Sequence, residues 1–336
     1  MNKVKYLIKR IFHMNFKSMF NKIDEIHKKT NKNKILIFLD MVYCGIKYQA
    51  GYMDYELFEM YNLNNEQRKT ILTRGKNNAF IKELNDKKYT YKFSSKREFN
   101  KTFTKFLNRD WLDFNNVSKE EFNNFIKKHP IFMLKPVDGT CGHGIEKINS
   151  KKYKKNELYE YIQTKRNVIL EEVIKQHKDM NKMYAGAINT CRIISVLRDN
   201  KVYIVAAYLR IGNGSFVDNF NSGGMVVPIN VKTGTIEYNA LDKVHNLYEY
   251  HPITNTKIIG FKIPMWEDVI KIVKKAGKVI PEVRLVGWDI GISDKGPVIV
   301  EANDFPGHDI YQLPPHRTNG IGVLPEFEKA IYGTKK

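Results

Sequence analysis

Apolar positions in the first third of the chain recur at helical intervals. Within residues 1–34, Leu7, Ile8, Ile11, Phe12, Phe16, Met19, Phe20 and Ile23 are spaced along one face among lysines, which predicts a basic amphipathic stretch. The segments DYELFEMYNLNNEQRKTILT and NNAFIKELN keep that period, so residues 35–115 are expected to form a mostly helical region. From residue 131 the pattern changes. IFMLKP is a short apolar run closed by Pro136; the glycine-rich DGTCGHG and then IEKI follow, which predicts strand, loop, strand. A helical segment at 155–165 leads to NVILEEVI, another strand. NTCRIISVLRDNKVYIVAAYLRIG predicts a hairpin hinged at Asp199-Asn200, and the turn-rich NFNSGG precedes the strand MVVPI. In WEDVIKIVKKAGKVIP, Trp266, Val269, Ile270, Val273, Ala276 and Ile280 share a helical face that Pro281 ends. VGWDIGISDKGPVIVEAND supplies two strands joined at Asp294-Lys295-Gly296. Helices and strands alternate without a regular βαβ series, so the expected class is α+β with largely antiparallel sheets.

With 336 residues the chain can bury a sizeable core. Charged residues interrupt every apolar run short of the roughly 18 residues a spanning helix requires, and the N-terminus has no clean signal-peptide core, which points to the cytoplasm. Cys44, Cys141 and Cys191 are too few for a disulfide framework. The net charge of +20 fits either solvated lysines or attraction to polyanions. Residues 1–34 hold ten Lys/Arg against Asp24 and Glu25. That stretch suits packing on its own domain, the favoured reading, or weak contact with an anionic membrane surface. Lysines and arginines are not striped with aromatics, so no nucleic-acid partner is expected. The oligomeric state is left open by the sequence.

Two features carry chemistry. Gly139, Gly142 and Gly144 follow a strand bearing Lys135 and let backbone N–H groups approach phosphate oxygens. Ile145-Glu146 stand where a P-loop needs Lys and Ser/Thr, so that mechanism is excluded. In the last hairpin, period-2 alternation puts Glu301 and Asn303 on one strand face, and pairing through the turn brings Asp289 about opposite. Two carboxylates and a carboxamide suit Mg²⁺, a hard ion that keeps positions for substrate phosphates; Mn²⁺ could substitute. The bland alternative is a set of acids on a solvated hairpin.

FMLKPVDGTCGHG, VILEEV, NTCRIISVLRD, LRIGNGSFVDNFNSGG, HPIT, GWDIGISDKGPVIVEAND and the Pro-Gly at 306–307 together resemble the sugar-transfer-associated branch of the ATP-grasp superfamily, and DYELFEMYNLNNEQRK resembles its N-terminal region. The resemblance implies an ATP-grasp fold, two α+β subdomains clamping Mg-ATP between antiparallel sheets, over residues 116–175 and 176–336. It makes Lys135, and less securely Lys101, nucleotide contacts. Gly139, Thr140, Cys141, Gly142, His143 and Gly144 become the phosphate lid. Glu171, Glu172 and Val173 match the adenine hinge, with Asp179 a candidate for ribose, and Asp289, Glu301 and Asn303 match the Mg²⁺ ligands. Arg192 and Arg210 would face the γ-phosphate or acceptor carboxylate; Asn219, Asn221, Ser222, Gly223, Gly224 and Gly307 lie where acceptors are chosen.

The implied reaction is ATP-dependent joining of a carboxylate to an amine through an acyl-phosphate, on a sugar acid or amino acid in bacterial surface-polysaccharide synthesis. A small-molecule kinase on the same fold is the alternative; a basic nucleic-acid or membrane-binding module without turnover is the second. His177, His245, His251, His308 and His316 are not at metal spacing and are expected to be structural. Trp111, Trp266 and Trp288 are expected in the core or at an interface.

Overall fold

The computed structural model describes residues 15–139, 144–154, 156–215, 218–220 and 223–334. Residues 1–14, Thr140, Cys141, Gly142, His143, Asn221 and Ser222 lie outside the described residues. The chain forms two compact units, one of residues 1–83 with 307–336, the other of residues 84–306. These lines differ from divisions at 115 and 175, because the helices after residue 84 pack on the sheets and the C-terminal tail packs on the N-terminal helices.

In the first unit the helices Phe16–Thr30 and Lys34–Tyr48 begin at Asn15 and Asn33, whose side chains accept the N–H groups of Ser18 (3.0 Å) and Ile35 (2.8 Å). They end at Asn31 and Gln49 in the left-handed region. Met19, Ile23 and Ile26 pack with Ile37, Met41, Cys44, Tyr55 and Phe58. The basic stretch therefore buries part of its stripe on its own unit, while Phe16 and Phe20 stay exposed. The tail packs within this unit through Phe327, stacked on Phe80 at 6.4 Å, and through His308, which meets Phe58 edge-on and is placed on Asp54 (2.7 Å).

The second unit holds two wholly antiparallel sheets. One has the order β1-β4-β2-β3, from Trp111–Asp113, Val168–Glu172, Ile131–Pro136 and Glu146–Asn149. The other runs β11-β10-β5-β6-β7-β8-β9, from Gly296–Asn303, Leu285–Ser293, Cys191–Arg198, Lys201–Ile211, Met225–Pro228, Ala240–Leu241 and Leu247–Tyr248. The β5–β6 turn falls on Asp199 and Asn200, both at positive φ, as a tight hairpin of right-twisted strands demands. The helix Trp266–Ala276 lays Trp266, Val269, Val273 and Ala276 into the core with Ile270 half-buried. It stops at Ala276, short of Pro281, and Ile280 is buried from the segment beyond. Trp288 is fully buried against Phe93 and Phe103 and donates from Nε1 to Ser195 Oγ (2.8 Å). Cys44 and Cys191 are buried free thiols; burial pushes Cys44 up to about 12 and Cys191 also upward, so both stay protonated. Among the described residues no helix is long and apolar enough to cross a membrane.

Candidate active site

β10 and β11 meet at the turn after Ser293, which pairs with Gly296. That register, continued, would set Asp289 opposite Val300 and turn it away from Glu301. A bulge between Asp289 and Ile290 moves the pairing by one residue, so Asp289 pairs with Glu301 and Gly287 with Asn303. Because opposed residues share a sheet face, the bulge puts Asp289, Glu301 and Asn303 on the same face.

On that face Asp289 is buried and held by arginines from β5 and β6. Arg192, its partner on β5, donates from Nε to Oδ1 and from Nη2 to Oδ2 (2.8 Å). Arg210 on β6 donates from Nη1 to Oδ2 (2.8 Å). Burial disfavours the Asp289 carboxylate, but the two guanidiniums outweigh it and hold its carboxyl well below the usual range. Glu301 is pushed the other way. Crowding by protein atoms, then the charge of Asp289 and the hydrogen bond between the two carboxyls, raise it to about 7, although its side chain reaches solvent.

Arg210 also reaches the loop before β7, donating from Nη2 to Asn219 Oδ1 and lying 3.9 Å from Asp218 Oδ1. Burial works against its charge, yet Asp289 and Asp218 raise its pKa. Asp218 is buried and accepts the Thr190 N–H (2.9 Å) and hydroxyl; burial dominates there and raises its carboxyl. Gly224 donates to the Asn219 carbonyl (3.1 Å), and a Cβ on Gly224 would stand 2.4 Å from the Asp218 carbonyl oxygen, so this loop depends on that glycine. Gly223 is exposed at φ 93°.

The smaller sheet supplies a second charge centre. Glu171 on β4 is buried and accepts from Lys135 Nζ (2.6 Å), Asn100 Nδ2 (2.8 Å), and Arg109 Nε and Nη2 (3.1 Å each). Burial opposes its charge, but Arg109 and Lys135 outweigh that and hold the carboxyl well below the usual range. Arg109 continues to the larger sheet, donating to the carbonyls of Ile299 (2.6 Å) and Val300 (3.2 Å), and so ties the two centres through the bulged strand itself.

Lys96 donates to the Gly139 carbonyl at the start of the glycine loop (2.8 Å). Burial lowers its pKa, Lys135 adds to the lowering, and Glu301, Glu171 and Asp138 offset part of it. Gly144, where description of the loop resumes, has φ 72°. Lys101 is exposed and pairs with Glu98 in its own helix (3.2 Å), so it is not brought to these centres. Glu172 accepts the Asp110 N–H (3.0 Å), and Val173 follows the end of β4 half-buried. Asp179 pairs with Lys182 (2.8 Å) in the helix Lys178–Met183. Gly307 begins the tail that belongs to the first unit. Arg192 and Arg210 are brought together on Asp289.

Asp218, Thr190, Arg109 and Lys96 are the residues that sequence reasoning missed. Arg109 and Thr190 carry no local pattern to mark them. Asp218 lies beside Asn219 in the loop already singled out, and Lys96 lies in the same short helix as Lys101.

The donor set near Glu301 fits a hard divalent cation. Asp289 and Glu301 stand opposite each other, a like-charge pair that a divalent cation would neutralise, and Asn303 adds a neutral oxygen on the same face. Elsewhere, Asp110, His129 and Glu172 bring ligand atoms within 4.8 Å of one another. There Lys128 already sits 2.5 Å from Asp110, as the counter-charge.

The two antiparallel sheets, each bearing a charged centre, are those of an ATP-grasp fold. The profile of the sugar-transfer associated ATP-grasp family matches residues 67–329, and the chain belongs to that family. No curated protein matches the sequence. Similar solved structures include the L-amino acid ligase from Bacillus licheniformis, 10% identical, covering 72% of this chain and 49% of that one with a TM-score of 0.44. A D-alanine–D-alanine ligase from Bacillus anthracis complexed with ATP is 16% identical over 71% of this chain and 64% of that one, with a TM-score of 0.42. The chain thus spans about half to two thirds of the length of these proteins.

Proposed function

We propose that this protein is an ATP-dependent ligase that joins a carboxylate to an amine through an acyl-phosphate, acting on a sugar acid or amino acid destined for a surface polysaccharide. Membership of a sugar-transfer associated ATP-grasp family supports the nucleotide and the polysaccharide setting. The observation that carries the reading is Glu301 directly opposite Asp289, with Arg192 and Arg210 held on the same face.

The chemistry follows from charge. A carboxylate must approach the terminal phosphate of a nucleotide that bears about four negative charges, and fixed cations have to compensate both anions beforehand. Lys135 and Lys96 bind nucleotide phosphates in this account, from β2 and from the start of the glycine loop. Asp289, Glu301 and Asn303 hold Mg²⁺ or Mn²⁺, which when bound supplies charge neutralisation and orientation of phosphate oxygens. Asp289 orients the guanidiniums of Arg192 and Arg210, which carry the positive charge that compensates the acceptor carboxylate. Asn219, Gly223 and Gly224 shape the acceptor side, and the glycine loop excludes water from a mixed anhydride that would otherwise hydrolyse. Glu171, Glu172 and Val173 line the nucleotide base, Glu171 chiefly by fixing Lys135; Asp179 is retained for ribose. The proposed setting is the cytoplasm, where ATP is supplied.

Incubation with Mg-ATP and paired panels of acids and amines tests the reading. Release of ADP that requires both partners supports ligation. ADP with a single acceptor and a stable phosphorylated product assigns a kinase instead, and no ADP with any pair rejects both.

A further inference from the structure

The helix Lys34–Tyr48 is apolar on two sides. Ile37, Met41, Cys44 and Tyr48 fill the core of the first unit. Ile35, Leu36, Leu39, Val42, Tyr43 and Ile46 form a second stripe, and all six are exposed, Ile35, Leu36 and Ile46 by 63–68%. From Ile35 to Ile46 the stripe runs about 16 Å along the helix. The only acid in this helix, Asp40, lies off the stripe and is neutralised: Arg68 donates to it from Nη1 and Nη2 (2.7 Å each) and Tyr55 from its hydroxyl (2.6 Å). The neighbouring helix adds exposed Phe16 and Phe20, the latter stacked on Phe38 at 6.3 Å. A soluble surface seldom gathers so many large aliphatic side chains on one helix face without a use for them.

We propose that this stripe docks on an anionic lipid bilayer, the helix lying in the interface with Ile35, Leu39, Val42 and Ile46 among the acyl chains. Charge complementarity selects this occupant. Residues 15–48 contain seven lysines, Lys17, Lys22, Lys28, Lys29, Lys32, Lys34 and Lys47, against Asp24, Glu25 and Asp40. Lys34 and Lys47 stand at the two ends of the stripe and are exposed, as are Lys17, Lys28 and Lys32. A second copy of the chain would set one cationic rim against another, whereas anionic headgroups meet the rim while acyl chains take the stripe. This differs from a contact made by the basic segment 1–34 alone, because the apolar anchor lies beyond it. It is independent of the reaction proposed above.

Co-sedimentation of the full chain with vesicles of phosphatidylcholine alone, or with 30% phosphatidylserine (roughly the anionic content that attracts basic segments), tests the proposal. Expected is binding to the anionic vesicles only, weakened at least about tenfold in the variant Ile35→Ser/Leu39→Ser/Ile46→Ser, with an unchanged melting temperature. Should the triple variant lose its fold, Leu39→Trp serves instead, and its emission must shift to shorter wavelength on adding anionic vesicles. Binding that survives the triple substitution, absence of binding to either vesicle, or a Leu39→Trp emission that does not move overturns it. So does light scattering that shows a dimer which the triple variant dissociates.

Discussion

Asp289 and Glu301 face each other across the β10–β11 hairpin, and their carboxyls are driven in opposite directions. Two guanidiniums keep Asp289 ionised, and Glu301, left beside that charge in a crowded position, rises to about 7. A raised acid is protonated in the folded state at pH values where it is already ionised in the unfolded chain. Between about 4.5 and about 7 the folded protein therefore binds the extra proton, and the contribution of Glu301 to stability falls as pH rises through that window. In metal-free protein, Glu301→Gln is expected to raise the melting temperature at pH 8 while leaving it nearly unchanged at pH 5. The same substitution should lower turnover by roughly 10²-fold or more. Calorimetry at the two pH values and an ADP-release assay check both halves. Mn²⁺ affinity of the parent protein, followed by electron paramagnetic resonance, should weaken below pH 7 as the proton competes.

Glu171 and Glu172 are adjacent in sequence and opposite in consequence. Glu171 is buried against Arg109 and Lys135, and its removal leaves two cations without their anion. Glu171→Ala is expected to cost about 3–5 kcal/mol by denaturant titration. Glu172→Ala, which loses one backbone hydrogen bond, should cost about 1 kcal/mol. The lowered carboxyl of Glu171 gives stability that is present above about 4.5 and lost only as pH falls toward its folded value, so the parent should resist acid better than Glu171→Gln.

Lys96 and Lys101 make a discriminating pair. Lys96→Met is predicted to weaken nucleotide binding by about tenfold or more, since it removes a cation beside the glycine loop. Lys101→Met, on an exposed salt bridge, should leave it within about twofold. Calorimetric titration with ADP distinguishes the two, and equal losses would contradict this placement of the nucleotide.

Arg210 is shared by Asp289, Asn219 and Asp218. Arg210→Met takes from Asp218 its cation and from Asp289 one of two, and is expected to cost about 3–5 kcal/mol as well as turnover. Asp218→Asn in the same chain should recover part of the stability and none of the activity. Additive losses in the double variant would show that the two side chains act separately.

Much of this arrangement was legible in the sequence, and the exceptions have physical causes. Strands β2, β3, β4, β5, β6 and β7 lie where the apolar runs and turn residues put them, and Asp199-Asn200 makes the tight turn it promised. Period-2 alternation correctly paired Glu301 with Asn303 on one face. The position of Asp289 opposite Glu301 depends on a bulge at Val300 that no alternation reveals, since an unbroken register would have hidden it on the other face. That Asp289 holds both arginines was not legible either, because Arg192 and Arg210 are remote from it in sequence and only the sheet brings them together. Arg109 escaped notice because its partners, Glu171 and the carbonyls of Ile299 and Val300, are remote in sequence.

The most direct measurement is the mass of the product made by the full chain with Mg-ATP, a sugar acid or amino acid, and an amine. The account predicts a product equal to acid plus amine less one water, with one ADP released per product and both abolished in Glu301→Gln. ADP release that persists unchanged in Glu301→Gln, or a phosphorylated acceptor as the final product in the presence of the amine, would contradict it.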